Sequence, residues 1–198
     1  MKALIGLGNP GREYELSRHN AGFIVADNLV EIYGGNWSNT RFTGVAARTN
    51  IRNNPLMSAK PLTYMNRSGH FVSSFLNYYR IETEDMLVVH DEMDLPLGRL
   101  RLSRGGSAAG HRGVESIISQ LGANDFARLR VGVGKPISKA GVVKHVLSRF
   151  DDEDMSLFSR IIEVCVKAIE TWIDDGLEAA MNLYNGTHLQ LNESEEGD

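Results

Sequence analysis

Short apolar segments alternate with segments of helical periodicity along most of the chain, and this alternation limits the possible folds more than any other feature. Lys2–Leu7 and Met86–His90 are short, mostly apolar runs that predict buried strands. Asn20–Tyr33 and Ser68–Tyr79 place apolar residues near helical spacing, and Ser68 is a candidate N-cap for the second helix. Strands that alternate with helices predict an α/β sandwich built on a mixed sheet.

The remaining segments continue this alternation. Further strands are predicted at Phe42–Arg48, Leu56–Ala59, Arg99–Leu102 and Ala127–Gly134, and further helices at Gly113–Leu121, Gly141–Ser148, Asp151–Asp174 and Leu177–Leu183. The chain has 198 residues, 42% of them hydrophobic, and can bury one core without disulfides. We predict one domain over residues 1–185 and a loose acidic tail over residues 186–198.

Cysteine content and the length of the apolar runs exclude several classes of protein. Cys165 has no partner for an internal disulfide, which fits a reducing compartment. No run of about 18 consecutive apolar residues is present, so no membrane span is predicted. The N-terminal apolar run, Ala3–Ile5, is too short for a secretory signal. We expect a monomeric, cytoplasmic protein.

The net charge of −4 conceals a division between two parts of the chain. Residues 1–150 contain 19 Lys and Arg against 12 Asp and Glu, whereas residues 151–198 contain 2 against 13. Residues 99–149 alone contain 10 basic and 2 acidic residues. Because a polyanion responds to the local potential, this stretch predicts a nucleic-acid partner, with a solvated basic face as the alternative. Within it, the loop Arg104–Gly113 exposes backbone N–H groups ahead of a helix and suits an anion, or is simply flexible.

The first glycine-rich loop, Gly6–Gly11, follows a predicted strand, where ligands bind in α/β folds. It matches the spacing G-x-G-x-x-G of dinucleotide-binding loops. Such a site also needs a helix that opens on the loop and an acidic residue at the end of the next strand. Here the helix starts only near residue 20, and Asp27 and Glu31 fall inside it. A tight turn explains the glycines but not Asn9.

Three polar residues near the ends of predicted elements can supply hydrolytic chemistry. His19 lies directly before a helix, and Asn66 lies shortly before another. Asp91 stands at the exit of Met86–His90, where its carboxylate can accept an imidazole N–H and leave the other ring nitrogen free as a base. Two plainer interpretations stay open, namely a structural His19 and a turn asparagine at residue 66.

The sequence offers little support for a metal or a covalent nucleophile. His90, Asp91 and Asp94 could hold a metal, but no second cluster of His or Cys stands at ligand spacing. No G-x-S-x-G motif is present, and Cys165 lies among apolar neighbours within a predicted helix. A hydrolase with this sequence would therefore use water, activated by a His–Asp pair.

Five motifs, taken in order, resemble those of bacterial-type peptidyl-tRNA hydrolases. They are GLGNPGREY, SRHNAG, KPLTYMNRSG, VVHDEMDLPLG and RGG followed by GHRG, and the similar layout runs from residue 1 to about residue 185. The resemblance implies a single-domain, three-layer α/β sandwich with a mixed, mostly parallel sheet enclosed by helices. It also implies hydrolysis of the ester that joins a peptide to tRNA, without a metal or cofactor.

The resemblance assigns roles to matching residues. His19 matches the general base for water, and Asp91 matches the carboxylate that orients it. Asn9 matches a residue that helps to distinguish blocked from free aminoacyl-tRNA, and Asn66 matches one that contacts the acylated tRNA end. The other matches contact the acceptor stem and CCA end: Tyr14 and Tyr64 line the tRNA site, and Arg128 and Arg130, with Arg101 nearby, hold the acceptor-stem phosphates.

Three positions depart from the family pattern. Arg112 stands where the family usually has an asparagine that places substrate and water; it can donate to a phosphate or carbonyl but cannot accept. The preceding loop, Ser107-Ala108-Ala109, is usually richer in glycine, and Ser103 stands where a basic residue is expected. Two alternatives remain: an RNA-binding protein on this fold without hydrolysis, and a nucleotide-dependent oxidoreductase that rests only on the Gly6–Gly11 spacing.

Overall fold

The computed structural model describes residues 1–135 and 141–191, which form seven strands and six α-helices. The strands are β1 (Lys2–Gly6), β2 (Ser38–Asn39), β3 (Gly44–Ile51), β4 (Asn54–Pro61), β5 (Met86–Glu92), β6 (Leu100–Arg104) and β7 (Ala127–Gly132). The helices are α1 (Ala21–Ile32), α2 (Ser68–Tyr79), α3 (Arg112–Leu121), α4 (Val142–Leu147), α5 (Asp152–Asp175) and α6 (Leu177–Tyr184). The 3₁₀ turns Arg18–Asn20 and Met65–Arg67 precede α1 and α2.

All seven strands belong to one sheet, in the order β2-β3-β4-β1-β5-β7-β6. The four adjacent strands β4, β1, β5 and β7 run parallel, while β2, β3 and β6 join by antiparallel pairing. This arrangement confirms the predicted α/β fold with a mixed, mostly parallel sheet. Because the central strands point the same way, the loops after β1, β4 and β5 leave the sheet at a common edge.

Helices enclose the sheet in three layers, with a hydrophobic core on each face. Phe158 of α5 belongs to the core shared with α1 and α6, and Phe75 of α2 belongs to the core shared with α3. A glycine controls the approach of α1: a Cβ added to Gly22 would lie 2.2 Å from the backbone oxygen of Val89 in β5. This close contact fixes the start of α1 against the end of β5. The turn Arg18–Asn20, which carries His19, is thereby also held at the end of β5.

Most predicted elements are present, with differences at their ends. Ser68 is the first residue of α2, so its prediction as the N-cap is wrong; its Oγ donates to the backbone oxygen of Met65, 2.9 Å away. β5 continues past His90, so Asp91 lies inside the strand. β2 was not predicted, because it contains only two exposed polar residues. No helix opens on the Gly6–Gly11 loop, which leads through turns to α1.

The C-terminal part of the chain stays against the domain beyond α6. The backbone N–H of Leu189 donates to the oxygen of Gly98 at 2.9 Å, and Arg99 pairs with His188 in an isolated bridge. The domain therefore extends past the predicted boundary at residue 185, while residues 192–198 of the predicted tail lie outside the described residues.

Cys165 is buried in α5, and burial raises the pKa of its thiol. Among the described helices, none has the length and hydropathy needed to cross a membrane.

Candidate active site

A cleft of about 320 Å³ opens at the common edge where β1, β4 and β5 end. Its walls come from the loops after these strands, from the start of α3 and from α4. The polar side of the cleft includes Asn9, His19, Asn66, Asp91, His111 and Arg112. The structure thus brings together all four residues predicted to be catalytic, which are separated by up to 82 positions in the sequence.

Asp91 and two histidines form the centre of this cleft. Asp91 Oδ1 lies 2.8 Å from His19 Nδ1 and 2.9 Å from His111 Nε2. His111 Nδ1 accepts the backbone N–H of Val114 at 3.2 Å, so the proton of this ring belongs on Nε2 and points to Asp91. A carboxylate only accepts, so His19 also holds its proton on Nδ1, and its Nε2 is free to act as a base.

Sequence reasoning predicted the pairing of His19 with Asp91 but missed His111. The available signal was the position of His111 two residues before the predicted helix Gly113–Leu121, in the segment GHRG. In the structure His111 is the N-cap of α3, and its side chain performs two tasks at once. One ring nitrogen satisfies the first turn of the helix, and the other donates to Asp91.

The electrostatics favour an ionised Asp91 at the centre of the cleft. Asp91 is 3% exposed, and burial alone would raise its pKa. The adjacent His111 and His19 outweigh that effect through charge and hydrogen bonds, and hold the pKa below its ordinary value. The carboxylate can therefore stabilise the positive charge that forms when His19 takes a proton.

His90 is the neutral neighbour of this cluster. Its Nδ1–H donates to the backbone oxygen of Asp91 at 2.7 Å, and its Nε2 has no hydrogen-bond partner among the described residues. Burial, and then the proximity of His111, lowers the pKa of His90 to about 3. At neutral pH this side chain consequently adds no charge to the site.

Asn9 is fastened to two neighbouring segments. Its backbone N–H donates to Asn20 Oδ1 at 2.8 Å, and its backbone oxygen accepts from Asn20 Nδ2 at 3.1 Å. Its own Oδ1 accepts the backbone N–H of Met65 at 2.9 Å. Among the described residues, the Nδ2 group makes no hydrogen bond, so Asn9 offers the cleft a donor.

The same central residues are the candidate metal ligands in the described part of the chain. Donor atoms of His19, Asp91 and His111 all lie within 4.8 Å of one another. Two N–H groups already share Asp91 Oδ1, so a metal ion at this place would have to displace both protons. The alternative site from His90, Asp91 and Asp94 is not assembled, because His90 and Asp91 point to opposite faces of β5 and Asp94 pairs with Lys135 at 2.9 Å.

Comparison with known proteins identifies the family. Residues 3–193 match the family model described as peptidyl-tRNA hydrolase. The chain belongs to the peptidyl-tRNA hydrolase family. The peptidyl-tRNA hydrolase of Bacillus cereus (strain Q1) is 42% identical over 185 residues, which cover 93% of this chain and 100% of the relative. That of Geotalea daltonii is 40% identical over 189 residues, covering 96% and 98%.

Solved structures of the family share the fold. The crystal structure of peptidyl-tRNA hydrolase from Acinetobacter baumannii has a TM-score of 0.91 at 37% identity and covers 95% of this chain and 96% of that one. A peptidyl-tRNA hydrolase in complex with N-propanol has a TM-score of 0.92 at 36% identity, with 96% and 97% covered. Identity and coverage at this level relate the whole described domain to the family.

The exposed rim of the cleft in this member of the peptidyl-tRNA hydrolase family includes three side chains that can bind substrate: Tyr64, Asn66 and Arg112. Tyr64 is 66% exposed, and within the described residues neither the Asn66 nor the Arg112 side chain makes a hydrogen bond. Asn66 and Arg112 also border a second, polar groove of about 480 Å³ between α2 and α3. Tyr14, predicted to line the tRNA site, does not line the cleft and is half-buried in the turn after β1.

The three arginines predicted to hold phosphates differ in accessibility. Arg101 on β6 is exposed, and its cross-strand partner Arg130 is partly exposed, with Nη2 donating to Ser103 Oγ at 3.2 Å. Arg128 is 3% exposed, and its guanidinium donates at 2.7 Å to the backbone oxygens of Ser107 and Gly106. Contrary to the prediction, Arg128 is therefore occupied in holding the loop before α3 and is not available to a phosphate.

An apolar wall faces the polar side of the cleft. It consists of four residues of α4: Val142, Val143, Val146 and Leu147. Met65 and Met93 extend the apolar surface towards Asp91. The helix was predicted, but its place beside His19 was not, because that contact joins segments more than 120 positions apart. A member of the peptidyl-tRNA hydrolase family must accommodate a peptide, and this wall is suited to apolar atoms.

Proposed function

We propose that this chain hydrolyses the ester bond between the peptide and tRNA in prematurely released peptidyl-tRNA. The observation that carries the proposal is the 2.8 Å pairing of His19 with the buried Asp91, in the cleft of a member of the peptidyl-tRNA hydrolase family. This pairing leaves one imidazole nitrogen free beside the cleft, as general-base catalysis requires.

In the proposed reaction, His19 Nε2 removes a proton from water while the water oxygen attacks the ester carbonyl carbon. Asp91 stabilises the imidazolium that results. The bond from the carbonyl carbon to the ribose oxygen then breaks, and the ribose oxygen takes the proton back from His19. The products are a peptide carboxylic acid, which releases its proton to solvent and becomes a carboxylate, and a tRNA with a free terminal hydroxyl; no covalent bond to the enzyme forms. A positioned base of this kind contributes roughly 10²–10⁴-fold to the rate.

Amide and guanidinium donors stabilise the oxyanion and select the substrate. Asn66 and Arg112 at the rim supply donors for the developing negative charge. The Oδ1 of Asn9 already accepts the N–H of Met65, whereas its Nδ2 makes no hydrogen bond among the described residues, so Asn9 offers the substrate a donor and its partner is an oxygen. The carbonyl oxygen of an N-acyl group is present in peptidyl-tRNA and missing from free aminoacyl-tRNA, whose ammonium also repels a donor. Asn9 therefore discriminates between the two substrates by binding this carbonyl oxygen through Nδ2.

The tRNA itself binds through phosphate contacts and stacking. Arg101 and Arg130 on β6 and β7 contact acceptor-stem phosphates, and Tyr64 stacks on the single-stranded CCA end. Tyr14 contributes to tRNA binding outside the cleft. Affinity then falls as salt concentration rises. We further infer that the protein acts as a monomer in the cytoplasm, where translation supplies its substrate.

The test compares N-acetylated aminoacyl-tRNA with the free aminoacyl form in the presence of a chelator. We expect release of tRNA from the blocked form and little from the free form. Binding without cleavage of either would instead support the RNA-binding alternative, which the intact His19–Asp91 pair does not favour. Cleavage of both at equal rates would contradict the role of Asn9 while leaving the base assignment in place.

A further inference from the structure

Arg18, the residue before the proposed base, is almost completely buried. It is 8% exposed, and the two terminal nitrogens of its guanidinium bind partners from a distant segment. Nη1 donates to Ser148 Oγ at 2.9 Å and to the backbone oxygen of Arg149, and Nη2 donates to Asp154 Oδ2 at 2.7 Å. The guanidinium carbon also lies 4.5 Å from the centre of the Phe150 ring. A buried charge of this kind is costly unless it is paired, so the contacts define one position for the side chain.

Backbone bonds reinforce the same connection. The N–H of Arg18 donates to the oxygen of Ser148 at 3.1 Å, and Ser17 forms an antiparallel bridge with Arg149. The turn Arg18–Asn20 thus sends two side chains in different directions. Arg18 reaches the segment that joins α4 to α5, and His19 reaches Asp91.

Helix α4 depends on these contacts, because a helix of six residues is too short to be stable alone. Among the described residues, α4 is also connected through His145, whose Nε2 lies 2.9 Å from the backbone oxygen of Gly134, two residues after β7. Arg18 anchors the segment directly after the helix, and α4 carries the apolar wall of the cleft. One buried side chain therefore links the turn that carries the base to the opposite wall.

We propose that Arg18 is a positioning residue that fixes the distance between His19 and the apolar wall. An apolar side chain on the amino acid that is esterified to tRNA is then held between the wall and the base. This inference rests on the proposed function. Loss of Arg18 then weakens the binding of substrates whose apolar side chain contacts the wall. It affects substrates without an apolar side chain much less. A purely structural role would reduce turnover of both to the same extent.

The experiment uses Arg18→Met and Arg18→Lys in the full chain, with Arg52→Met as the matched control. Arg52 has the same side chain but lies at the opposite end of the parallel strands, exposed and paired with Asp174 at 2.9 Å. Arg18→Lys keeps the charge with fewer directed donors, and serves if Arg18→Met does not fold. Two readouts are needed: amide exchange of residues 142–148, and kcat and KM for N-acetyl-leucyl-tRNA and N-acetyl-glycyl-tRNA.

We expect faster amide exchange in residues 142–148 of the Arg18 variants and no change in Arg52→Met. We also expect kcat/KM for the leucyl substrate to fall roughly tenfold, mainly through KM, and for the glycyl substrate to fall less than about threefold. The pH profile of kcat should not move, because the His19–Asp91 pair is retained. Equal losses on both substrates, or unchanged exchange, would overturn the inference. If the wild-type chain cleaves neither substrate, the proposed function fails first, which separates the two outcomes.

Discussion

The buried centre of the cleft and its exposed rim both contain polar side chains, but only those at the centre have hydrogen-bond partners within the described residues. At the centre, Asp91 Oδ1 is shared by two histidines, and His111 is itself oriented by a backbone N–H. At the rim, Asn66 and Arg112 make no hydrogen bond within the described residues. The centre is therefore set in one protonation state before substrate arrives, whereas the rim donors gain their partners only when substrate binds. Substitutions at the centre should remove or misorient the base, whereas substitutions at the rim should change the hydrogen bonds that form only with bound substrate and its transition state.

The largest effect should come from His19→Ala. Loss of the base should lower kcat for N-acetylated aminoacyl-tRNA by roughly 10²–10⁴-fold, while tRNA affinity and the urea midpoint stay close to wild type. Single-turnover hydrolysis, tRNA binding and urea unfolding measure the three quantities. The matched control is His188→Ala, which removes an exposed imidazole that does not line the cleft. A kcat within a few-fold of wild type would show that another group activates the water.

Arginines on β6 and β7 also include a buried and an exposed residue, and substitutions of the two can be compared directly. Arg128→Met should lower the free energy of unfolding by about 1–3 kcal/mol, because the backbone oxygens of Gly106 and Ser107 lose a buried donor. Arg101→Met should leave stability unchanged and reduce the salt dependence of tRNA binding by about one phosphate contact. Urea unfolding and binding titrations at several salt concentrations check both. A similar loss of affinity in the two variants, at equal stability, would contradict the division.

Features that depend on local sequence could be predicted, whereas contacts between distant segments could not. His19 and Asp91 could be predicted because each stands at the end of a recognisable element, and parallel strands deliver such ends to one edge of the sheet. The fold class could be predicted from local periodicity for the same reason. His111 was missed because its partnership with Asp91 depends on how the loop after β6 returns to the cleft.

Arg128 shows why side-chain environment was harder to predict than element type. Along β7 it alternates with apolar residues, a pattern that indicates a solvent-facing arginine on a half-buried strand. In the structure the loop containing Gly106 folds back over this position, and carbonyl groups replace the solvent. Likewise, no local pattern in the sequence indicates that Asn9 Oδ1 accepts the backbone N–H of Met65, which lies 56 positions away.

His90 gives the buried centre a measurable pH dependence. Its pKa is about 3 in the folded chain and near the ordinary 6.5 when unfolded, so below pH 6.5 the unfolded chain binds a proton that the folded chain does not. Stability should fall as pH decreases from 6.5 towards 3, with His90 costing about 2 kcal/mol between pH 7 and pH 5. His90→Asn can still donate to the backbone oxygen of Asp91. Its free energy of unfolding should fall by about 2 kcal/mol less than that of wild type between pH 7 and pH 5. Urea unfolding at both pH values tests this, and equal losses in wild type and variant would show that His90 is protonated in the folded state.

The smallest effect should come from Arg112→Asn, which changes the rim alone. Arg112 contacts no described residue by a hydrogen bond, and asparagine also supplies an amide donor, so stability should be unchanged. Because asparagine can accept as well as donate, it can orient a water that arginine cannot, and kcat should stay within about threefold of wild type or rise. Steady-state kinetics on N-acetylated aminoacyl-tRNA, with Arg52→Met as the control for loss of one positive charge, measures this difference. A loss above about tenfold in kcat, with KM unchanged, would mean that the transition state needs the charged guanidinium of Arg112 and that an amide donor cannot replace it.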